Sequence, residues 1–385
     1  MIYKNMLIRT IETDIGRYLK SKQKEILFIW GPRRSGKTTL LQKLSKQLKT
    51  PIFNFDFLSD REVFVPTREA LGKIAANHKV ILVDEVQNYP EATVPLKILH
   101  DEFKIKIIAT GSSELRRKSK EFDSLAGRYN ELYCLPLTIS EVRRNAKIKS
   151  YEEVNFYRQL SEQFQVYGSY PQVYLSPENQ KPRLLQKILE SYVLKDIVDI
   201  YDLKNTKLAK DMLTKVALQI GSEVSLRELA DSLGANAVTI SNYLEIFIKN
   251  YILIPLPSFK TNIRKAVSEN RKLYFYDLGI RNILIQDFRD LDLRQDKGGV
   301  FENFIISELE KTRKLTNAKV NMYFYREYGG KEVDVIIEDY KKNYTTIEIK
   351  TAKGGAKKIF PLPNSPEVIT TQNYAEKIEA ILEGK

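Results

Sequence analysis

The sequence predicts an α/β protein: a parallel sheet flanked by helices, followed by a winged helix-turn-helix and a second, smaller α/β unit. Three observations predict it. Ile26 to Trp30 is a short, wholly apolar run that feeds into Gly31-Pro-Arg-Arg-Ser-Gly36-Lys37-Thr38 and then a helical stripe of Leu40, Leu41 and Leu44. Lys79-Val-Ile-Leu-Val-Asp84-Glu85 is a second buried run, and it ends in two acids. From about Leu208 the pattern turns to closely spaced helices, and from Val320 to strand-like runs joined by hairpin-type connections.

The first run carries the P-loop spacing, Gly-x-x-x-x-Gly-Lys-Thr, between a strand and a helix. Glycine lets the backbone turn its N–H groups toward phosphate oxygens, and the following helix adds its positive end. The cradle expected here comprises Gly31, Arg33, Arg34, Ser35, Gly36, Lys37, Thr38 and Thr39. Lys37 reaches the β and γ phosphates and Thr38 holds Mg²⁺, so ATP and Mg²⁺ are the expected cofactors.

An extended stretch, Pro51 to Phe57, and a helical one, about Asp60 to Asn77, separate the P-loop from the second buried run. That run is the Walker B pattern: Asp84 is expected on Mg²⁺ through water, and Glu85 as the group that polarises the attacking water. The next strand, Lys106 to Thr110, runs into Gly111-Ser112-Ser113, where a hydroxyl can meet the γ-phosphate; Ser112 and Ser113 are both candidates. Arg128 follows a glycine just before the strand-like run Tyr129 to Leu135. It suits a γ-phosphate contact, in cis or from a neighbouring subunit, and equally a structural salt bridge.

Composition sets the setting. The 385 residues hold one cysteine, Cys134, and two histidines, which excludes a disulfide framework and a Cys/His zinc site. No apolar run approaches a membrane span, and residues 1–20 read as an amphipathic helix, so a soluble, cytoplasmic protein is expected. The formal charge of +13 favours a polyanionic partner, with DNA the expectation.

Farther on, Leu208 to Gly221 reads as one helix, Leu226 to Leu233 as a second with Ser225 and Glu228 as its capping box, and Asn236 to Asn250 as a third. Tyr251 to Leu256 then starts a wing. Thr239, Ser241, Asn242 and Lys249 would face a groove, and the basic residues Lys260, Arg264, Lys265, Arg271 and Lys272 fall in the wing loop. Connecting two domains without reading bases is the competing role.

In the last unit, a helix from Val300 to Lys314 carries Glu302, and three strands follow: Val320 to Tyr325, Glu332 to Ile337 and Thr345 to Lys350. Glu348 and Lys350, two apart on one strand, share a face, and Asp334 interrupts an apolar run on the next. Asp334, Glu348 and Glu302 are candidate ligands for a divalent metal, with Lys350 directed at the attacking water or the scissile phosphate. This constellation resembles the PD-(D/E)xK nuclease core. A salt bridge from Lys350 to one acid, in a fold used only for binding, is the alternative. Past Lys350 the sequence offers a proline-rich patch and a final helix from about Asn373.

GPRRSGKTTL, ILVDEVQ, ATGSSELRR, SLAGRY and GSYPQVY together resemble bacterial and archaeal AAA-type ATPases that carry a C-terminal domain of unknown function, a group allied to the signal-transduction ATPases. The resemblance extends over nearly the whole chain. It implies ATP binding and hydrolysis, a winged helix behind the ATPase core and a terminal domain similar to PD-(D/E)xK nucleases. The expected division is an ATPase core over 1–145, a helical lid or linker over 146–204, the winged helix over 205–290 and the nuclease-like domain over 291–385. Two functions compete: an ATPase whose nucleotide state controls a DNA-directed module, and an ATP-gated switch that binds protein partners. A homo-oligomer is compatible with either.

Overall fold

The computed structural model describes residues 7–22, 24–112, 125–196, 205–260, 271–327, 330–352, 354–356 and 359–383. It forms two compact units, Met1–Leu135 and Pro136–Lys385.

The first unit is built on a parallel sheet of β1 (Ile26–Trp30), β2 (Ile52–Asn54), β3 (Val80–Asp84), β4 (Lys106–Gly111) and β5 (Tyr129–Tyr133), in the order β2-β3-β4-β1-β5. All five residues of β1 and of β3 are buried, as a strand covered on both faces requires. Helix α1 (Ile11–Lys20) buries Ile11, Ile15 and Tyr18, and the Tyr18 hydroxyl donates to Glu25 O at 2.8 Å. Helix α2 (Lys37–Leu48) begins directly after Gly36, whose φ of 107° suits glycine, and buries Leu40, Leu41 and Leu44. The single helix expected from Asp60 to Asn77 is two, α3 (Leu58–Val63) and α4 (Arg68–Asn77). Pro66 lies in the break, and Thr67 opens α4 by accepting from Ala70 N at 3.3 Å. Helix α5 (Thr93–Asp101) leads into β4.

Because β4 lies between β1 and β3, the P-loop leaving β1 and the acids ending β3 are separated by one strand at the carboxyl edge, where open α/β sheets bind ligands.

The second unit opens with α6 (Ile139–Asn145), capped by a reciprocal Thr138–Glu141 box, and α7 (Glu153–Tyr167), α8 (Pro171–Tyr174) and α9 (Lys181–Ile188). Next come α10 (Thr206–Leu218), β6 (Glu223–Val224), α11 (Leu226–Leu233) and α12 (Ala237–Lys249). Ser225 caps α11 by accepting from Glu228 N, and Gly234 ends it at φ 59°. β7 (Leu253–Pro257) and β8 (Arg271–Phe275) pair antiparallel and form with β6 a sheet ordered β6-β8-β7. Helix α13 (Leu278–Ile285) follows, then α14 (Lys297–Leu315).

The last sheet is ordered β12-β11-β10-β9, from β9 (Val320–Arg326), β10 (Glu332–Asp339), β11 (Tyr344–Lys350) and β12 (Ser365–Thr370). β12 runs parallel to β11 where only a proline-rich patch was expected; as an edge strand it tolerates Pro366. Helix α15 (Tyr374–Glu383) closes the chain.

A buried polar network ties this unit together. Asp277 caps α13 and accepts from Ser169 N at 2.6 Å, while Lys311 Nζ donates to Leu137 O at 2.9 Å and to Ser169 Oγ at 3.3 Å. Lys311 pairs with Glu308, whose other oxygen accepts from Ile139 N at 2.9 Å. Burial raises the pKa of Asp277 and of Glu308. The segment 136–145, expected with the first domain, packs in the second unit through these bonds.

Candidate functional site

The P-loop closes around its own lysine. Lys37, buried at the first turn of α2, donates from Nζ to Gly31 O and Pro32 O, both at 2.8 Å. Burial lowers its pKa, against the opposing pull of Glu85, Cys134 and Asp84. The glycines are sterically required. A Cβ on Gly31 would lie 1.9 Å from Cys134 O, and Arg34 completes the turn at φ 64°. Ser35 Oγ is buried without a hydrogen-bond partner, as suits a cradle with donors to spare. Side chains of Arg34, Thr38 and Thr39 are exposed, whereas Arg33 is half-buried.

The two Walker elements meet through hydroxyls. Thr38 Oγ1 donates to Asp84 Oδ2 at 2.8 Å, Thr110 Oγ1 donates to Asp84 Oδ1, and Glu85 N reaches the same oxygen at 3.0 Å. A hydroxyl and a carboxylate oxygen side by side are the hard donors Mg²⁺ takes from protein, since it keeps waters and phosphates for its other positions. The residues therefore fit a nucleotide with its metal.

Glu85 sits at φ 53°, uncommon for a residue with a side chain, and its carboxylate accepts from Gln87 Nε2. Gln87 Oε1 in turn accepts from Ser112 N at 3.1 Å. Ser112 thus takes part through its main chain, and the β4 hydroxyl on the Walker B aspartate, opposite that of Thr38, is Thr110. Ser113 lies outside the described residues.

In the second unit, Asp334 on β10 and Glu348 on β11 take opposing positions, one step beyond the Val335–Ile347 pair. Asp334 Oδ2 accepts from Ile349 N at 2.7 Å, and Lys350 Nζ donates to Glu348 Oε2 at 2.7 Å. Desolvation, with repulsion from Glu302 and Glu348, pushes the Asp334 pKa up to about 6. Burial works against the charge of Lys350, but its bond to Glu348 and the charges of Asp334, Glu348 and Glu302 raise its pKa.

Glu302 does not complete an acid trio. Its Oε1 accepts from Lys272 Nζ at 3.1 Å and from the Tyr274 hydroxyl, both on β8, and no three acidic, histidine or cysteine side chains gather as a metal site among the described residues. Lys272 also departs from expectation. It is 2% exposed and bridges Glu302 and Glu332, whose charges outweigh burial and raise its pKa, so it offers no contact to a polyanion. Arg271 is half-buried in β8, and Arg264 and Lys265 lie outside the described residues. On α12, Thr239, Ser241 and Lys249 are half-buried, while Val238, Asn242 and Glu245 are exposed.

Residues 23–143 match the AAA domain family. Residues 23–143 are therefore similar to a P-loop AAA domain. Residues 158–295 and 297–361 match two domains of unknown function, DUF8612 and DUF4143. An uncharacterized protein of Methanocaldococcus jannaschii, MJ1544, is 28% identical over 347 residues, 86% of this chain and 75% of its own. One of Haemophilus influenzae is 24% identical over 72% of this chain and 71% of its own. Among solved structures, the Thermotoga maritima RuvB Holliday junction branch migration motor is 16% identical over 60% of this chain and 82% of its own, with a TM-score of 0.28, a level from which no shared architecture follows.

Within residues 23–143, Arg128 Nε bonds both carboxylate oxygens of Asp101 at 3.0 Å. Its own carbonyl accepts from Ile26 N at 2.8 Å, which places it at the amino end of β1. The P-loop leaves the other end, about 16 Å away for a five-residue strand. Arg128 therefore forms an ion pair with Asp101 and does not reach the phosphate cradle of its own chain.

Sequence reasoning missed Thr110, Gln87 and Arg9. Thr110 was in view as the last residue of a strand, and its side-chain parity with the strand interior hid its polar contact. Gln87 stands in the ILVDEVQ motif, two residues past Glu85. For Arg9, 22 residues before Gly31, nothing in the sequence signals the contact.

Proposed function

We propose that the protein binds and hydrolyses ATP with Mg²⁺ at the P-loop and that nucleotide state controls the C-terminal module. The observation that carries this reading is the junction of Thr38 and Thr110 on Asp84, which brings the helix after the P-loop, the Walker B strand and the strand between them to one carboxylate. Mg²⁺, when bound, neutralises charge developing on the phosphates. Lys37 exchanges its loop carbonyls for phosphate oxygens, Thr38 and Asp84 supply oxygen donors, and Arg33, Arg34, Ser35, Gly36 and Thr39 line the cradle. Glu85 orients the attacking water and accepts its proton, and Gln87 holds that carboxylate in place.

The C-terminal module, in this reading, is a winged helix followed by a PD-(D/E)xK-like sheet directed at DNA, with Asp334 and Glu348 as the metal-binding pair and Lys350 beside them. The net charge of +13 and the convergence of two acids and a lysine support it. The second reading, a protein-binding switch, is favoured by the burial of Lys272 and by Val238 and Glu245 exposed on α12. Duplex DNA binding by the full chain, titrated against salt with and without a non-hydrolysable ATP analogue, separates them. The DNA reading expects log affinity to fall with log salt by about 0.9 per phosphate contact. Absence of binding at low salt in both nucleotide states overturns it and leaves the protein switch.

A further inference from the structure

We propose that Arg9, from the segment preceding α1 and outside the matched AAA domain, is a positioning residue of the nucleotide site that holds the P-loop peptide between Ser35 and Gly36 in its phosphate-binding orientation. The inference rests on the reading of the P-loop as an ATP site.

Arg9 is 6% exposed, and its guanidinium lies against the loop. NH1 donates to Ser35 O at 2.7 Å and lies 3.5 Å from Cys134 Sγ; NH2 donates to Leu135 O at 2.5 Å. One fork thus joins the loop to the chain leaving β5. In a planar trans peptide the C=O and N–H point in opposite directions, and no cis bond occurs among the described residues. Fixing Ser35 O toward Arg9 therefore turns Gly36 N–H the other way, away from the guanidinium. A Cβ on Gly36 would stand 3.4 Å from Arg9 NH1, so the arginine also sets how closely the loop can approach.

The fork is itself anchored. Arg9 N donates to Glu12 Oε1 at 2.9 Å, and Glu12 Oε2 pairs with Lys43 on α2, the helix that the P-loop opens. At the far end of α1, Lys106 Nζ donates to Leu19 O at 2.8 Å and Ser21 O at 2.7 Å. Helix α1 is held at both ends, so Arg9 has a fixed base from which to hold the loop. A permanently charged guanidinium also adds a positive field beneath the cradle, which a lysine would supply without the fork.

The test is thermal melting of the full chain with and without saturating Mg²⁺-ADP, with ADP affinity by calorimetry, for wild type, Arg9→Lys, Arg9→Gln and Glu12→Gln. Arg9→Lys is expected to lower ADP affinity about tenfold, as loss of about 1.4 kcal/mol does, and to shrink the ADP-induced rise in melting temperature. Arg9→Gln should lose more, and Glu12→Gln, which loosens the anchor alone, less. A purely structural Arg9 would lower the melting temperature without ADP and leave the rise intact; that result overturns the inference while the P-loop reading stands. If either Arg9 variant does not fold, an unchanged ADP affinity in Glu12→Gln overturns it equally. No ADP-dependent rise in wild type overturns the nucleotide reading itself, and this inference with it.

Discussion

Thr38 Oγ1 donates a 2.8 Å hydrogen bond to Asp84 Oδ2, so the first turn of the P-loop helix and the end of the Walker B strand meet at a single carboxylate. Thr110 holds the other oxygen of that carboxylate. Groups that orient a metal ligand are worth about 10–100-fold in metal affinity. Thr110→Val, which keeps shape and removes the hydroxyl, should raise the Mg²⁺ concentration for half-maximal turnover by about that factor. Nucleotide affinity measured in EDTA should stay unchanged. Ser112→Ala, by contrast, leaves the main-chain bond to Gln87 in place and should alter neither quantity.

Lys37→Ala removes the cation that the loop wraps with Gly31 O and Pro32 O, and should abolish ATP binding and turnover. Calorimetry with ATP and a phosphate-release assay check it; full affinity in a folded variant contradicts the cradle.

Glu85→Gln should leave ATP affinity near wild type and reduce turnover by about 10²–10⁴, the range for loss of a positioned general base. Single-turnover kinetics with bound ATP measure it directly. Turnover near wild type would assign the water to another group.

Lys272→Ala should destabilise the second unit, because it strands Glu302 and Glu332 beside one another in a largely buried setting. Removing one partner of a buried ion group costs about 3–5 kcal/mol. Denaturant midpoints of the full chain report the loss. A DNA-contact role would instead leave the midpoint alone and flatten the salt slope.

Asp334 gives a pH signature. Its pKa is about 6 in the folded chain, raised first by desolvation, while an unfolded aspartate titrates near about 3.9. The folded state holds the extra proton between these values, so the stabilisation is full below the unfolded pKa and is lost as pH rises through 6. The amount is about 2–3 kcal/mol at one unit per 1.36 kcal/mol. Asp334→Asn, which can still accept from Ile349 N, should melt above wild type at pH 8 in EDTA and near it at pH 4. A constant difference across that range would contradict the shifted carboxyl.

The strand and helix patterns were legible because burial imposes them locally: β1 and β3 read as unbroken apolar runs, and the leucines of α2 recur at the helical period. The Walker residues were legible for a related reason, since Gly31, Gly36 and Lys37 must stand at fixed spacing on one turn. What stayed hidden depends on partners distant in sequence. Arg128 looked equally suited to phosphate or carboxylate until the strand direction placed it at the amino edge with Asp101. Lys272 read as a surface cation because its two acids lie 30 and 60 residues away. Strand β12 was obscured by Pro363 just before it and Pro366 within it, the latter tolerated because only one side of an edge strand needs its ladder.

The Glu308–Lys311 pair bears on how the second unit can be dissected. Lys311 donates to Leu137 O and Glu308 accepts from Ile139 N, while Glu302 on the same helix is held from β8. A protease nick or gene truncation near residue 295 would leave α14 with ionised groups stripped of their counterparts. A fragment that keeps these charges neutralised must therefore reach back to residue 136, and residues 136–385 should unfold in one calorimetric transition rather than two.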